Sequence, residues 1–105
     1  MTDIFEGYSE HYDAEVRLII LKALHDEANG RLSDSMLMHV FEAFAINRTR
    51  DYLRTQLNWL KTEGGAVVLR DAGTAMIAEL TDKGEAHVQR RQLIQGVKRP
   101  SLPRG

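Results

Sequence analysis

The feature that most constrains this chain is a change of hydrophobic period at Gly64-Gly65. Ahead of that pair, apolar residues recur at helical spacing in stretches separated by turn residues. Behind it, two short runs rich in β-branched residues flank a turn. The first helical stretch runs from Asp13 to about Ala28. Asp13 is placed to cap it and Glu15 lies in the positive first turn. Val16, Ile19, Ile20, Ala23 and Leu24 form an apolar stripe, and Asn29-Gly30 stops the helix. Ser33 caps a second helix, whose Leu37, Val40, Phe41 and Phe44 repeat at i, i+3, i+4 and i+7. Ala45-Ile46-Asn47 is a short connection with Asn47 as the next cap. The third helix then runs from Arg48 to about Glu63 on a buried line of Leu53, Leu57 and Leu60.

After the glycine pair, Ala66 to Arg70 and Ala75 to Leu80 read as a hairpin around Asp71-Ala72-Gly73-Thr74. Thr81 caps a fourth helix, with Ala86, Val88 and Leu93 available to pack. Two flanks remain. Residues 1–12 put Ile4, Phe5, Tyr8 and Tyr12 at helical spacing among acids, an aromatic extension that needs somewhere to bury itself. Residues 94–105 hold two prolines with Lys98, Arg99 and Arg104, and read as a flexible basic tail. The chain is thus an extension, one domain over 13–93, and a tail, as suits a length of 105 residues.

Composition excludes several classes. With no cysteine there is no disulfide scaffold, thiolate metal site or cysteine nucleophile. The longest apolar runs are four residues, too short to span a bilayer, and the acidic start is no signal peptide, so an intracellular protein is expected. His11, His25, His39 and His87 never pair at metal-binding spacing. No glycine-rich phosphate loop, nucleophile elbow or matched carboxylate pair occurs, so neither an enzyme nor a cofactor is expected. The net charge of −1 conceals a division. Residues 1–47 carry nine acids and three bases, whereas residues 48–105 carry six acids and eleven bases. Such asymmetry is a hint of nucleic-acid contact.

Three helices, a hairpin and a helix, with a tight link between the second and third, is the element order of a winged helix-turn-helix. That is a mainly α, α+β architecture with a three-helix core, a wing and a C-terminal helix. The run Leu53-x3-Leu57-x-Trp59-Leu60-x3-Gly64, a hairpin, then Leu80-Thr81-x2-Gly84 resembles the recognition-helix-to-wing segment of the MarR and PadR regulator families, over residues 33–92. One departure is Gly65, where those regulators place a large apolar residue, so a looser or shifted first wing strand is expected. Arg17-Leu18-x-Ile20-Leu21, Leu57-x-Trp59-Leu60 and Gly96-Val97-Lys98-Arg99-Pro100 are together similar to a family of small winged-helix proteins of Mu-like phages and prophages. That resemblance implies a phage-encoded protein of the bacterial cytoplasm.

Candidate contacts follow from the wheel of helix three. Rotation by about 100° per residue sets Arg48, Asp51, Arg54, Thr55 and Asn58 away from the leucine line, with Arg50 and Lys61 on one flank. Double-stranded DNA would be met by Arg48, Arg50, Arg54, Thr55 and Asn58. Arg70 in the wing and Lys98 and Arg99 in the tail would add phosphate contacts. Asp51 opposes that reading. Tyr52 and Trp59 share the other flank and form either an exposed partner patch or packing against a neighbouring helix. Ile4, Phe5, Tyr8 and Tyr12 suit a homodimer contact, or fold back on helix four. The alternative to a DNA-binding regulator or DNA-handling accessory is a protein-interaction module that keeps the fold and docks a phage or host protein. No residue set argues for a small-molecule ligand.

Overall fold

One helix, α1 (Ile4–Asp26), carries both the aromatic extension and the first apolar stripe without a break. The computed structural model describes the backbone of residues 4–101 and the side chains of residues 7–101. The expected boundary at Asp13 is therefore absent. Asp13 sits inside α1 and accepts a hydrogen bond from the Tyr52 hydroxyl instead of capping. Val16, Ile20, Leu21 and Leu24 face the core, where α2 and α3 bury Leu37, Phe41, Leu53, Leu57 and Leu60.

Helix α2 (Asp34–Ala43) starts as expected, with Ser33 Oγ accepting from the Met36 N–H at 3.2 Å. It ends in a Schellman turn. The Ile46 N–H donates to the Phe41 carbonyl at 2.8 Å and the Ala45 N–H to that of Glu42 at 3.1 Å. Ala45 holds φ +57 there, and Ile46 is driven into the core beside Phe41. Helix α3 (Arg50–Thr62) begins two residues later than expected. Thr49, not Asn47, is its cap, with Oγ1 accepting from the Tyr52 N–H at 3.1 Å.

Three strands, β1 (Arg31–Ser33), β2 (Val67–Ala72) and β3 (Ala75–Leu80), form an antiparallel sheet in the order β1-β3-β2. Strand β1 was not foreseen, because three residues are too few to show a period of two. It pairs Leu32 with Ala78, which seats Ser33 at the start of α2. The β2–β3 hairpin is tighter than the sequence suggests. Ala72 pairs with Ala75 and leaves a two-residue turn, with Gly73 at φ +67 as a primed turn requires. Beyond Gly65 the strand is in place, since Ala66 and Val67 are buried and Val67 pairs with Leu80.

Helix α4 (Asp82–Val88) is short, capped by Thr81 as expected, and closed by Arg90 at φ +63. Leu93 is largely exposed, and the chain beyond it, expected as a mobile tail, is docked as far as Pro100. Ile94 and Val97 are buried in the core cluster, and the Lys98 N–H donates to the Ala14 carbonyl at 3.1 Å. His87 explains the docking. It is fully buried, its Nδ1 accepts from the Ile94 N–H at 2.9 Å, and its Nε2 lies 2.9 Å from the Lys98 carbonyl oxygen. Since Nδ1 must accept, Nε2 carries the proton and donates. The architecture is α+β, four helices and one three-stranded sheet. Among the described residues no helix is long and apolar enough to cross a membrane.

Candidate functional site

Asp34, the first residue of α2, has a side chain wholly shielded from solvent. Burying a lone carboxylate is costly, so every lone pair should be engaged. That is the case. Oδ1 accepts from the Ser35 N–H at 2.9 Å and the Met76 N–H at 3.3 Å; Oδ2 accepts from Arg54 Nη2 at 2.7 Å and Nε at 3.1 Å. Arg54 Nη2 also donates to the Thr74 carbonyl at 2.9 Å, at the tip of the hairpin. Arg50 stands behind it, 3.9 Å from Asp34 Oδ2 and bonded to Ser35 Oγ at 3.3 Å. Burial alone would raise the Asp34 carboxyl. The Arg54 and Met76 hydrogen bonds and the charges of Arg54 and Arg50 outweigh it and hold the group below the usual carboxylate range. One carboxylate thus ties together the start of α2, the middle of α3 and the β2–β3 turn.

This corrects the placement of Arg54. The wheel sets its Cα away from the leucine line, but its side chain turns back along the flank toward the hairpin. A buried anion is a stronger partner than water for a forked guanidinium. The outermost ridge of α3 holds Asp51, Thr55, Asn58 and Thr62, all exposed. Thr55 and Thr62 hydroxyls donate to the Asp51 and Asn58 carbonyls at 3.0 and 2.8 Å, and the Asn58 amide donates to the Arg54 carbonyl at 2.9 Å. Lys61 is exposed on the same flank as Arg50, whose side chain is half exposed. In the hairpin itself Arg70 pairs with Glu79 at 3.5 Å.

The opposite flank of α3 is covered. The Arg48 guanidinium lies over the Tyr12 ring at 4.5 Å and near that of Tyr52 at 5.7 Å. Tyr52 packs edge-on to Tyr12 and against Phe41. Burial, the hydrogen bond to Asp13 and the charge of Asp13 push the Tyr52 phenol well above its ordinary value. Trp59 lies under the Arg17 guanidinium at 3.8 Å. Arg17 also donates to Gln56 Oε1 at 2.8 Å and to the Gly96 carbonyl at 2.9 Å. Gly96, at φ +92, touches the indole so closely that a Cβ would fall 2.5 Å from Cζ2. Tyr52 and Trp59 are therefore packing residues and not an open patch.

The structure brings Arg50, Thr55 and Asn58 onto one accessible face and sets Arg54 beneath it. It does not bring the tail to that face. Lys98 lies 3.6 Å from Glu15 on α1, and Arg99 is exposed in the same docked segment. Of the aromatic extension, Tyr8 is exposed and Tyr12 half-buried, their ring centroids 6.1 Å apart. The side chains of Ile4 and Phe5 lie outside the described residues, as does Arg104. Asp34, Arg17 and His87 were missed as structural centres. A first-turn aspartate reads as a helix-dipole residue, and only its pairing with a cation twenty positions on marks it out. Among the described residues no group of three or more metal-ligating side chains is assembled.

A single small α+β domain with one exposed polar helix beside a hairpin is the class that fold and site define. A relative is viral. Over 84 residues the chain is 33% identical to "Uncharacterized protein gp26" of Escherichia phage Mu, covering 80% of this chain and 85% of that protein. The chain belongs to the family of that Mu phage protein. No protein-family profile matches it, and no solved structure does.

Proposed function

We propose that this phage protein is a winged-helix DNA-binding protein of the bacterial cytoplasm, acting as a regulator or DNA-handling accessory. Helix α3 is its reading helix and the β2–β3 hairpin its wing. The observation that carries the reading is the Asp34–Arg54–Thr74 chain of hydrogen bonds. It holds the wing tip and an outward polar helix at one fixed angle, as groove insertion demands. Thr55 and Asn58 are placed to meet base edges or phosphates, and Arg50, Lys61, Arg48 and Arg70 to meet phosphates. Arg54 serves as a brace.

Four neutralised phosphates per chain give a log K against log salt slope of about −3.6. Anisotropy titrations with random and phage-sequence duplexes test this. Binding should tighten as salt falls and be lost in an Arg50→Ala/Lys61→Ala variant. Urea unfolding of that variant checks the fold, because Arg50 also meets Ser35 Oγ at 3.3 Å and stands 3.9 Å from Asp34 Oδ2. Absence of binding by the unaltered chain at low salt would overturn it. One observation favours a second reading, a protein-interaction module. Asp51 stands at the N-terminal end of the α3 ridge, while Arg54 is engaged within the molecule. Retention of a protein partner after nuclease treatment, together with no DNA binding, is the outcome that reading expects.

A further inference from the structure

Helix α1 carries a second stripe beside the buried one, of which only Tyr12 and Ile19 lean partly on the core. Tyr8, Tyr12, Glu15, Ile19, Lys22 and Asp26 follow one another at alternating steps of four and three, the spacing of a helix-pairing seam. Tyr8 is 62% exposed, and Glu15, Lys22 and Asp26 are exposed too. Among the described residues neither Lys22 nor Asp26 has an ion-pair partner. Beside the C-terminal half of the stripe lies a depression of about 430 Å³, apolar at Ile19, Ala23, Leu32, Met36, Val40 and Phe44. Its far lip is raised by Met36 and Phe44, 52% and 60% exposed. A smaller hollow of about 190 Å³ continues it toward Tyr12, sharing Ile19 and Phe44.

From this arrangement we infer that the stripe pairs with the same stripe of a second copy, antiparallel and two-fold symmetric about Arg17. The chemistry of the stripe is complementary to its own reversal. In that register Tyr8 meets Asp26 of the other copy, so a phenol donates to a free carboxylate. Tyr12 meets Lys22, an ammonium over a ring. Glu15 lays its methylenes on Ile19. Each depression, which flanks Ile19, Lys22 and Asp26, receives the exposed Tyr8 end of the other helix. A two-fold interface of this kind uses one patch twice and closes as a dimer. Tyr8, whose hydroxyl meets no acceptor among the described residues, finds one on the mate.

The chain lacks cysteine, so the register can be read directly. Tyr8 and Asp26 are eighteen positions apart on one helix, about 27 Å, so a disulfide between them can form only between copies. Sedimentation equilibrium of the full chain should show a dimer. Tyr8→Ala should raise its dissociation constant by about tenfold or more, with the circular dichroism unchanged because Tyr8 is exposed. A Tyr8→Cys/Asp26→Cys variant should oxidise to a covalent dimer, while Tyr8→Cys alone should not. A monomer up to millimolar concentration overturns the inference. So does a dimer indifferent to Tyr8→Ala, or one in which positions 8 and 26 fail to cross-link. The pairing requires no nucleic acid, so its failure and that of the DNA reading are separate results.

Discussion

Arg54 and Arg17 are both drawn back onto the protein, but by different chemistry. Arg54 answers a buried charge, the Asp34 carboxylate, and passes a bond on to the hairpin at Thr74. Arg17 answers neutral groups, the Trp59 ring, the Gln56 amide and the Gly96 carbonyl, and so straps the C-terminal segment to α1 and α3. Desolvation is the chief influence on Arg17 and lowers its pKa, with Asp13 opposing. The contrast teaches where rigidity is at risk. A pair built on a buried ion leaves an uncompensated charge when cut, whereas a strap built on neutral contacts leaves only unfilled space and a few solvated dipoles.

Cutting the charged brace should do the most damage. Arg54→Ala is expected to cost about 2–3 kcal/mol in urea unfolding, less than for a fully buried pair because part of Arg54 meets water. Adding Asp34→Asn to it should restore part of the loss, since the orphaned charge is then gone. The same pair sets an acid limb. A carboxyl held below its ordinary value contributes stability that is present above its unfolded pKa and lost as pH falls through the folded one. Below about pH 4 the unaltered chain should therefore lose stability more steeply than Asp34→Asn. If the two acid limbs coincide, Asp34 is not the brace described.

A smaller effect is expected at the back of the molecule. His87→Leu keeps the volume but removes the acceptor for Ile94 and the donor to Lys98, at about 1–3 kcal/mol. Hydrogen exchange should quicken at the Ile94 and Lys98 amides while those of α2 stay protected. Equal acceleration everywhere would mean that the segment is part of the main folding unit. The smallest change belongs to Arg17→Ala, about 0.5–2 kcal/mol, read as a red shift of Trp59 fluorescence as the indole gains water. Should Arg17→Ala instead cost as much as Arg54→Ala, the distinction between charged brace and neutral strap collapses.

Helix α3 and the hairpin were legible because their signals are local. Three leucines on one line, a glycine pair and two β-branched runs each act within a few residues. Strand β1 was illegible for the opposite reason, as it exists only where β3 offers a ladder. The proposed recognition face was half legible. Thr55 and Asn58 lie where the wheel puts them, whereas Arg54 does not, because a wheel gives the direction of Cα and not of a long side chain seeking an anion. The docked segment is not legible because prolines and cations describe what a segment resembles in isolation, whereas Ile94 and Val97 are buried where His87 binds the Ile94 N–H and the Lys98 carbonyl and Arg17 the Gly96 carbonyl.

Periodicity, caps and turn residues alone determined the order of the four helices and the β2–β3 hairpin and which faces of α2 and α3 are apolar, since each is an effect of neighbours along the chain. Only the tertiary structure decided that Asp34 is buried, that Arg54 and Arg17 turn inward, and that the C-terminal segment is docked. Those outcomes depend on groups 20 to 80 positions apart meeting in a medium of low polarity, where an unpaired charge or amide is too costly to leave alone.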